Sequence, residues 1–244
     1  MRKIYILPNM VTTANMFCGF YSVILSSRGE FLHASWAIIA AAVFDAMDGR
    51  IARMAKATSQ FGVEYDSLSD LTSFGMAPAF LMYYWALLPF ERLGWVAAFM
   101  YLACAALRLA RFNTNTAVAP KGFFQGLASP IAAGLLATLV IFQNATGFPD
   151  ADSETIFSTR VLGLTSVLLT AALMVSTIRF PSFKELNWRS KATFGYLMIL
   201  MVTLVLVALK PEITLFVVTC SYICLSLIWN VYRLLAGKTE EVSA

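Results

Sequence analysis

The sequence predicts an all-α protein: a polytopic membrane helix bundle of about eight transmembrane helices, with both termini in the cytoplasm. Of its 244 residues, 59% are apolar or aromatic and only 13% are charged. An average soluble domain has roughly 45–50% apolar and 25% charged residues. The mean hydropathy is +0.71, and long apolar stretches recur along the whole chain. These observations exclude a disordered chain, a collagen-like fibre and most water-soluble folds.

Eight stretches approach the length of about 20 apolar residues that a spanning helix needs. The first is the weakest, because Thr12, Thr13 and Asn15 interrupt it. The predicted spans are residues 10–27, 31–53, 67–89, 94–113, 129–146, 160–179, 193–209 and 212–235. No segment between them is long enough to fold separately, so residues 1–244 are predicted to form a single membrane domain.

The distribution of charge orients the predicted bundle. With a cytoplasmic N-terminus, the two termini and residues 50–66, 108–128 and 179–192 face the cytoplasm and hold most of the 18 lysines and arginines. The opposite side keeps only Arg28, Arg92, Arg160 and Lys210. The positive-inside rule therefore favours cytoplasmic termini. The net charge of +4 indicates attraction to anionic lipids, and no motif predicts a nucleic-acid partner.

Four of the six aspartates fall within 26 residues. Asp45 and Asp48 are spaced i, i+3 at the inner end of the second span, and Asp66 and Asp70 are spaced i, i+4 at the start of the third. Each pair therefore lies on one face of its helix. Two adjacent antiparallel helices would direct all four carboxylates towards one point.

Such a cluster is costly unless cations offset it. Like charges about 6 Å apart repel by roughly 3 kcal/mol at an effective dielectric constant near 20. Two divalent cations would balance four carboxylates, and oxygen ligands select Mg²⁺, Mn²⁺ or Ca²⁺ over zinc. Two such ions can clamp a phosphoryl group and activate an oxygen nucleophile.

Two alternatives remain open on spacing alone. The carboxylates could pair with Arg50, Arg53 and Lys56 in a structural network, although three cations do not match four anions. A proton or cation transporter also places acids within its spans. A transporter would spread them over several spans, whereas here they lie at one membrane face.

The residues between the aspartates complete a specific pattern. Gly49 leaves room for a ligand beside a carboxylate, and Arg53 can bind a diphosphate through two hydrogen bonds. The segment Asp45-x2-Asp48-Gly49-x2-Ala52-Arg53-x8-Gly62-x3-Asp66-x3-Asp70 resembles the complete signature of the CDP-alcohol phosphotransferase family, with all eight positions matching.

The resemblance implies an integral membrane enzyme that moves a phosphatidyl or similar group from a CDP-linked donor to an alcohol and releases CMP. It implies two divalent cations, Mg²⁺ or Mn²⁺ with Ca²⁺ as the alternative, and Asp70 also acting as the general base. It further implies a homodimer in a prokaryotic inner membrane, with its active site on the cytoplasmic face. By position, the metal ligands are Asp45, Asp48, Asp66 and Asp70, and the donor contacts are Gly49, Ala52, Arg53, Gly62 and, in the connecting loop, Ser59.

Three further stretches resemble the membrane-embedded phosphatidylserine synthases of bacteria and archaea, a branch of that family. They are residues 8–19, 66–78 and 107–130, with Ala128 departing from an expected proline. This resemblance implies CDP-diacylglycerol as the donor and L-serine as the acceptor. Glycerol 3-phosphate, inositol phosphate or choline remains an alternative acceptor.

Polar residues outside the signature are candidates for binding the substrates. Arg108 and Arg111, spaced i, i+3 at the inner end of the fourth span, could bind the serine carboxylate or instead reach lipid phosphates. Asn9, Thr12 and Asn15 could line the donor pocket or form caps and hydrogen bonds between helices.

Overall fold

The computed structural model describes residues 6–54, 60–115, 123–147, 153–181 and 193–242, and nearly all of these residues are helical. Two π-helical segments, at Leu71–Met76 and Tyr83–Leu87, interrupt the third predicted span, which closes with a short 3-10 turn at Leu88–Phe90. The α-helices are α1 (Ile6–Ser27), α2 (Phe31–Met54), α3 (Gln60–Asp70), α4 (Ala77–Met82), α5 (Glu91–Asn115), α6 (Ser129–Thr146), α7 (Ser153–Val175), α8 (Thr193–Leu209) and α9 (Pro211–Val242).

Four helical segments within the described residues are long and apolar enough to cross a bilayer, which indicates a membrane protein. They are Phe31–Ile51, Gln60–Thr114, Ser129–Thr146 and Pro211–Tyr232. The second is 55 residues long and changes direction at Glu91, where φ is +47°, so that α5 packs back against α4 and both π-helical segments. The count of eight spans and the cytoplasmic position of the termini stay predictions.

Helix α1 lies beside α2 and against the π-helical segment that follows α3. The turn from α1 to α2 uses Gly29 at a φ of +80°, a conformation that glycine adopts readily. At Gly19, a Cβ atom would lie 2.5 Å from the Oγ of Ser73, so only glycine allows this approach. The hydroxyl of Ser73 donates to the backbone carbonyl of Asn15 at 2.9 Å. The polar side of α1 is thereby placed against the third predicted span.

A two-stranded antiparallel pair interrupts the helical architecture. Strand β1 (Phe123–Gln125) pairs with β2 (Arg179–Pro181) in a register that places Phe124 opposite Phe180. The all-α prediction missed this pair, because the sequence places these residues in connectors between spans. The buried side chain of Phe180 contributes an apolar anchor, which offsets the weakness of an isolated two-stranded pair. The strands link the connectors that follow α5 and α7.

Candidate active site

The carboxylates of Asp45, Asp48 and Asp66 form a compact cluster, named here the acidic trio. One oxygen atom from each lies within 4.8 Å of the others. The first two project from the last turns of α2, and the third projects from α3. The helical spacing in the sequence therefore predicts correctly that the two helices bring their acids together.

No ion pair within the described residues joins the trio to a lysine or arginine. Arg50 is exposed on α2, while the side chains of Arg53 and Lys56 lie outside the described residues. The Oδ1 atom of Asp66 is buried and has no hydrogen-bond partner among the described residues. A buried carboxylate oxygen without a partner is costly, so the chemistry of this donor set fits a hard divalent cation.

Asp70 lies next to the acidic trio but is not part of it. It ends α3, where the first π-helical segment begins, and it interacts electrostatically with Asp45, Asp66 and Asp48. Its Oδ1 atom accepts a hydrogen bond from the Nδ2 of Asn15 at 3.3 Å. Three of the four predicted metal ligands therefore gather closely, with the fourth beside them.

Helix α1 supports the aspartates through its polar residues. The hydroxyl of Thr12 donates to Oδ2 of Asp48 at 3.1 Å, while the backbone carbonyl of Thr12 accepts from Ser69 at 3.0 Å. Asn15 is completely buried. The side chains of Thr12 and Asn15 thus form hydrogen bonds between helices, which is one of the two roles that the sequence left open.

The structure describes the side-chain surroundings of only some of the predicted donor contacts. Gly49 faces open space, since a Cβ atom added there would meet nothing within 4 Å. Gly62 and Asn9 are half-buried. The backbone of Ala52 and Arg53 continues α2, but their side chains, like all of Ser59, lie outside the described residues.

The two candidate serine-binding arginines have different surroundings. Arg111 donates to the backbone carbonyls of Val175 and Ser176, at 3.2 and 3.3 Å, at the end of α7. Arg108 donates from one terminal nitrogen to the hydroxyl of Ser129 at 2.7 Å, and its Nε is buried without a partner among the described residues. It also interacts electrostatically with Asp70 and Asp45. Arg108 is therefore the better placed of the two to bind a ligand beside the aspartates.

Sequence reasoning assigned no role to two further polar residues at this end of the bundle. Asn113 donates to the hydroxyl of Ser67 at 2.9 Å and thereby joins α5 to α3. Ser129, the first residue of α6, holds Arg108. Both lie within the stretches that resemble the family, but spacing alone does not show which helix each side chain contacts.

These features define a class of protein: a membrane-embedded enzyme with an acidic site built from the end of one helix and the start of the next. The sequence model of the CDP-alcohol phosphatidyltransferase family matches residues 5–178. The chain belongs to that family, and it is accordingly a transferase of phospholipid synthesis. Because this membership explains the clustered acids, it argues against the transporter alternative.

Several curated relatives carry the name CDP-diacylglycerol–serine O-phosphatidyltransferase. The relative from Helicobacter pylori is 36% identical over 188 residues, which cover 77% of each chain. The relative from Mycobacterium leprae is 30% identical over 227 residues, covering 91% of this chain and 73% of its own. The relative from Methanocaldococcus jannaschii is 32% identical over 183 residues, covering 75% of this chain and 77% of its own.

Proposed function

We propose that this protein transfers the phosphatidyl group of CDP-diacylglycerol to the hydroxyl of L-serine and releases CMP. The observation that carries the proposal is the acidic trio next to the open face at Gly49. One oxygen of Asp66 in this trio has no hydrogen-bond partner in the part of the chain that the structure describes. The donor and acceptor named for the curated relatives support the choice of substrates.

The residues of the trio would hold divalent cations, and Asp70, which interacts electrostatically with all three, would contribute to a second ion. Mg²⁺ and Mn²⁺ suit these all-oxygen ligands best, and Ca²⁺ is also compatible with them. When bound, such ions neutralise the charge of a diphosphate and stabilise the charge that develops during transfer. Arg53, Gly49, Ala52, Ser59, Gly62, Asn9 and Thr12 are proposed to line the donor site.

The proposed chemistry is a direct displacement at phosphorus. Asp70 accepts the proton of the acceptor hydroxyl, and the hydroxyl oxygen forms a bond to the lipid-side phosphorus. The bond from that phosphorus to the bridging oxygen breaks, and CMP leaves with the electron pair. Placement of the base by Asn15 and α1 contributes by fixing the geometry before the substrate arrives.

Arg108 is proposed to bind the carboxylate of serine. Its guanidinium is partly buried and interacts with Asp70. Within the described segments, its buried Nε has no hydrogen-bond partner. A charge-assisted hydrogen bond to a carboxylate is stronger than one between neutral groups. Arg111 remains a second candidate, although its described hydrogen bonds go to backbone carbonyls.

We place the protein in the cytoplasmic membrane of a prokaryote, as a homodimer with the site facing the cytoplasm. The concentration of lysine and arginine in the predicted cytoplasmic segments supports this orientation. Cysteine labelling from either side of sealed vesicles tests it. If a cysteine introduced at the aspartate end is labelled from outside intact cells, the protein has the opposite orientation to the one proposed.

The experiment that tests the function measures CMP release by the purified protein in detergent, with CDP-diacylglycerol and Mn²⁺ or Mg²⁺. Serine, glycerol 3-phosphate, inositol phosphate and choline are offered in parallel. We expect metal-dependent release with serine. Release with another alcohol would keep the proposed chemistry and overturn the acceptor, whereas no release with any of them would refute the proposal.

A further inference from the structure

Besides the Oδ1 of Asp66, which a metal ion would occupy, two buried polar atoms near Asp70 have no hydrogen-bond partner among the described residues, and these two are of opposite kinds. One is a donor, the Nε of Arg108, and the other is an acceptor, the Oδ1 of Asn15. Asn15 is completely buried and contacts Asp70 through its Nδ2. Because buried polar groups are normally paired, these two atoms point to a ligand that carries both an acceptor and a donor.

An α-amino acid has this combination. Its carboxylate accepts hydrogen bonds, its ammonium group donates them, and in a β-hydroxy amino acid the hydroxyl lies one carbon away. With the carboxylate on Arg108 and the hydroxyl directed to Asp70, the ammonium group is left for the amide oxygen of Asn15. We propose that Asn15 is a specificity-determining residue that accepts a hydrogen bond from the ammonium group of the acceptor. This inference rests on the function proposed above.

The surroundings of Asn15 hold it ready for this contact. The backbone carbonyl of Asn15 accepts from Ser73, and its Nδ2 is engaged by Asp70, which leaves Oδ1 as the open acceptor. Gly19, one turn further along α1, lets the helix approach Ser73 closely. An amide oxygen adds no charge to a site that already holds four carboxylates, so it can bind a cation without increasing their repulsion. A preorganised acceptor also costs little ordering entropy on binding.

The test compares acceptors that lack one group in turn. The CMP-release assay with serine gives kcat and KM. Two analogues of serine are then measured as competitors: 3-hydroxypropionate, which lacks the ammonium group, and ethanolamine, which lacks the carboxylate. In Asn15→Leu, the KM for serine and the inhibition constant of ethanolamine are expected to rise about ten- to a hundredfold. The inhibition constant of 3-hydroxypropionate should change less than about twofold.

Arg108→Gln should show the reverse pattern. It should weaken the binding of serine and of 3-hydroxypropionate but leave the binding of ethanolamine unchanged. Asn144→Leu is the matched control, because Asn144 is exposed near the end of α6 that lies away from Ser129, and it should behave as the wild type. If Asn15→Leu does not fold, Asn15→Ser removes the amide with a smaller change of shape and should show the same selectivity.

Three results would overturn the role of Asn15 while leaving the proposed reaction intact. A fall in kcat with an unchanged KM for serine would mean that Asn15 only positions Asp70. A higher Mn²⁺ requirement with unchanged selectivity would make it a metal ligand. Equal weakening of both competitors would indicate a general structural role. Failure of the proposed function differs from all three, because the wild type itself would then release no CMP with serine.

Discussion

The hydroxyl of Thr12 on α1 donates a hydrogen bond to Oδ2 of Asp48 on α2, with 3.1 Å between the two oxygen atoms. Both residues are buried, and they are 36 positions apart in the sequence. The bond occupies one lone pair of Asp48 and holds its carboxylate in place beside Asp45 and Asp66. A residue of the first helix therefore shapes a site that the signature confines to the next two helices.

Replacing Thr12 with valine should weaken metal binding while the fold is retained. Groups that orient a metal ligand commonly contribute about 10–100-fold to affinity. We expect the Mn²⁺ concentration for half-maximal CMP release to rise by about tenfold, with kcat at saturating Mn²⁺ falling less. Thr13→Val is the matched control, because Thr13 is exposed on the same helix and contacts Tyr65 instead. Equal Mn²⁺ requirements for the two variants would contradict the role of Thr12.

Replacing Asp66 with asparagine should separate the stability of the metal-free protein from its response to metal. The substitution removes one of three crowded negative charges, so the metal-free Tm should stay equal or rise. The wild type should be stabilised by added Mn²⁺, by about 2.7 kcal/mol at a hundredfold excess over Kd. The variant should lose most of this stabilisation. Thermal unfolding with and without Mn²⁺ measures both effects, and an undiminished Mn²⁺ shift would exclude Asp66 as a ligand.

The sequence predicts the aspartate cluster well because helical spacing is local. Asp45 and Asp48 share a face whatever surrounds them, and the family signature identifies their partners. The support from α1 is not predictable in this way, because the contact of Asn15 with Asp70 depends on how α1 packs. The π-helical segment after Asp70 and the β1–β2 pair were missed for the same reason. The backbone hydrogen bonds of both segments depend on neighbouring elements. In the π-helical segment, for example, the carbonyl of Phe74 accepts a hydrogen bond from the hydroxyl of Tyr101 on α5.

Two glycines near the site should respond in opposite ways to alanine. At Gly19 an added Cβ would lie 2.6 Å from the Cα of Ser73, so Gly19→Ala should lower stability by about 1–3 kcal/mol. At Gly49 an added Cβ meets no atom of the described residues within 4 Å, so Gly49→Ala should fold normally and gain helix propensity. If the donor approaches there, its KM for CDP-diacylglycerol should nevertheless rise. Thermal unfolding measures the effect on stability, and titration with CDP-diacylglycerol measures the effect on donor binding. An unchanged KM for the donor in Gly49→Ala would contradict a donor site beside Gly49.

Replacing Arg111 should act chiefly on stability. Its guanidinium donates to the carbonyls of Val175 and Ser176, and so ties the end of α5 to the end of α7. Arg111→Gln should lower the free energy of unfolding by about 1–3 kcal/mol. A comparison with Arg108→Gln provides the control, since that variant should mainly raise the KM for serine. A larger rise in serine KM for Arg111→Gln than for Arg108→Gln would assign the carboxylate contact to Arg111.

Replacing Asp70 with asparagine should abolish turnover without unfolding the protein. Asparagine keeps the size of the side chain and its oxygen for the hydrogen bond from Asn15, but it cannot take the proton of the acceptor hydroxyl. General base catalysis contributes typically 10²–10⁴-fold, so CMP release should fall by at least about a hundredfold while Tm changes little.

Glu30→Gln is the control, because Glu30 is exposed and pairs with His33 away from the site. Because Asp70 lies outside the acidic trio and would contribute only to the second ion, Asp70→Asn should lose less of the Mn²⁺-induced stabilisation than Asp66→Asn. Residual turnover near the wild-type rate would assign the proton to another group.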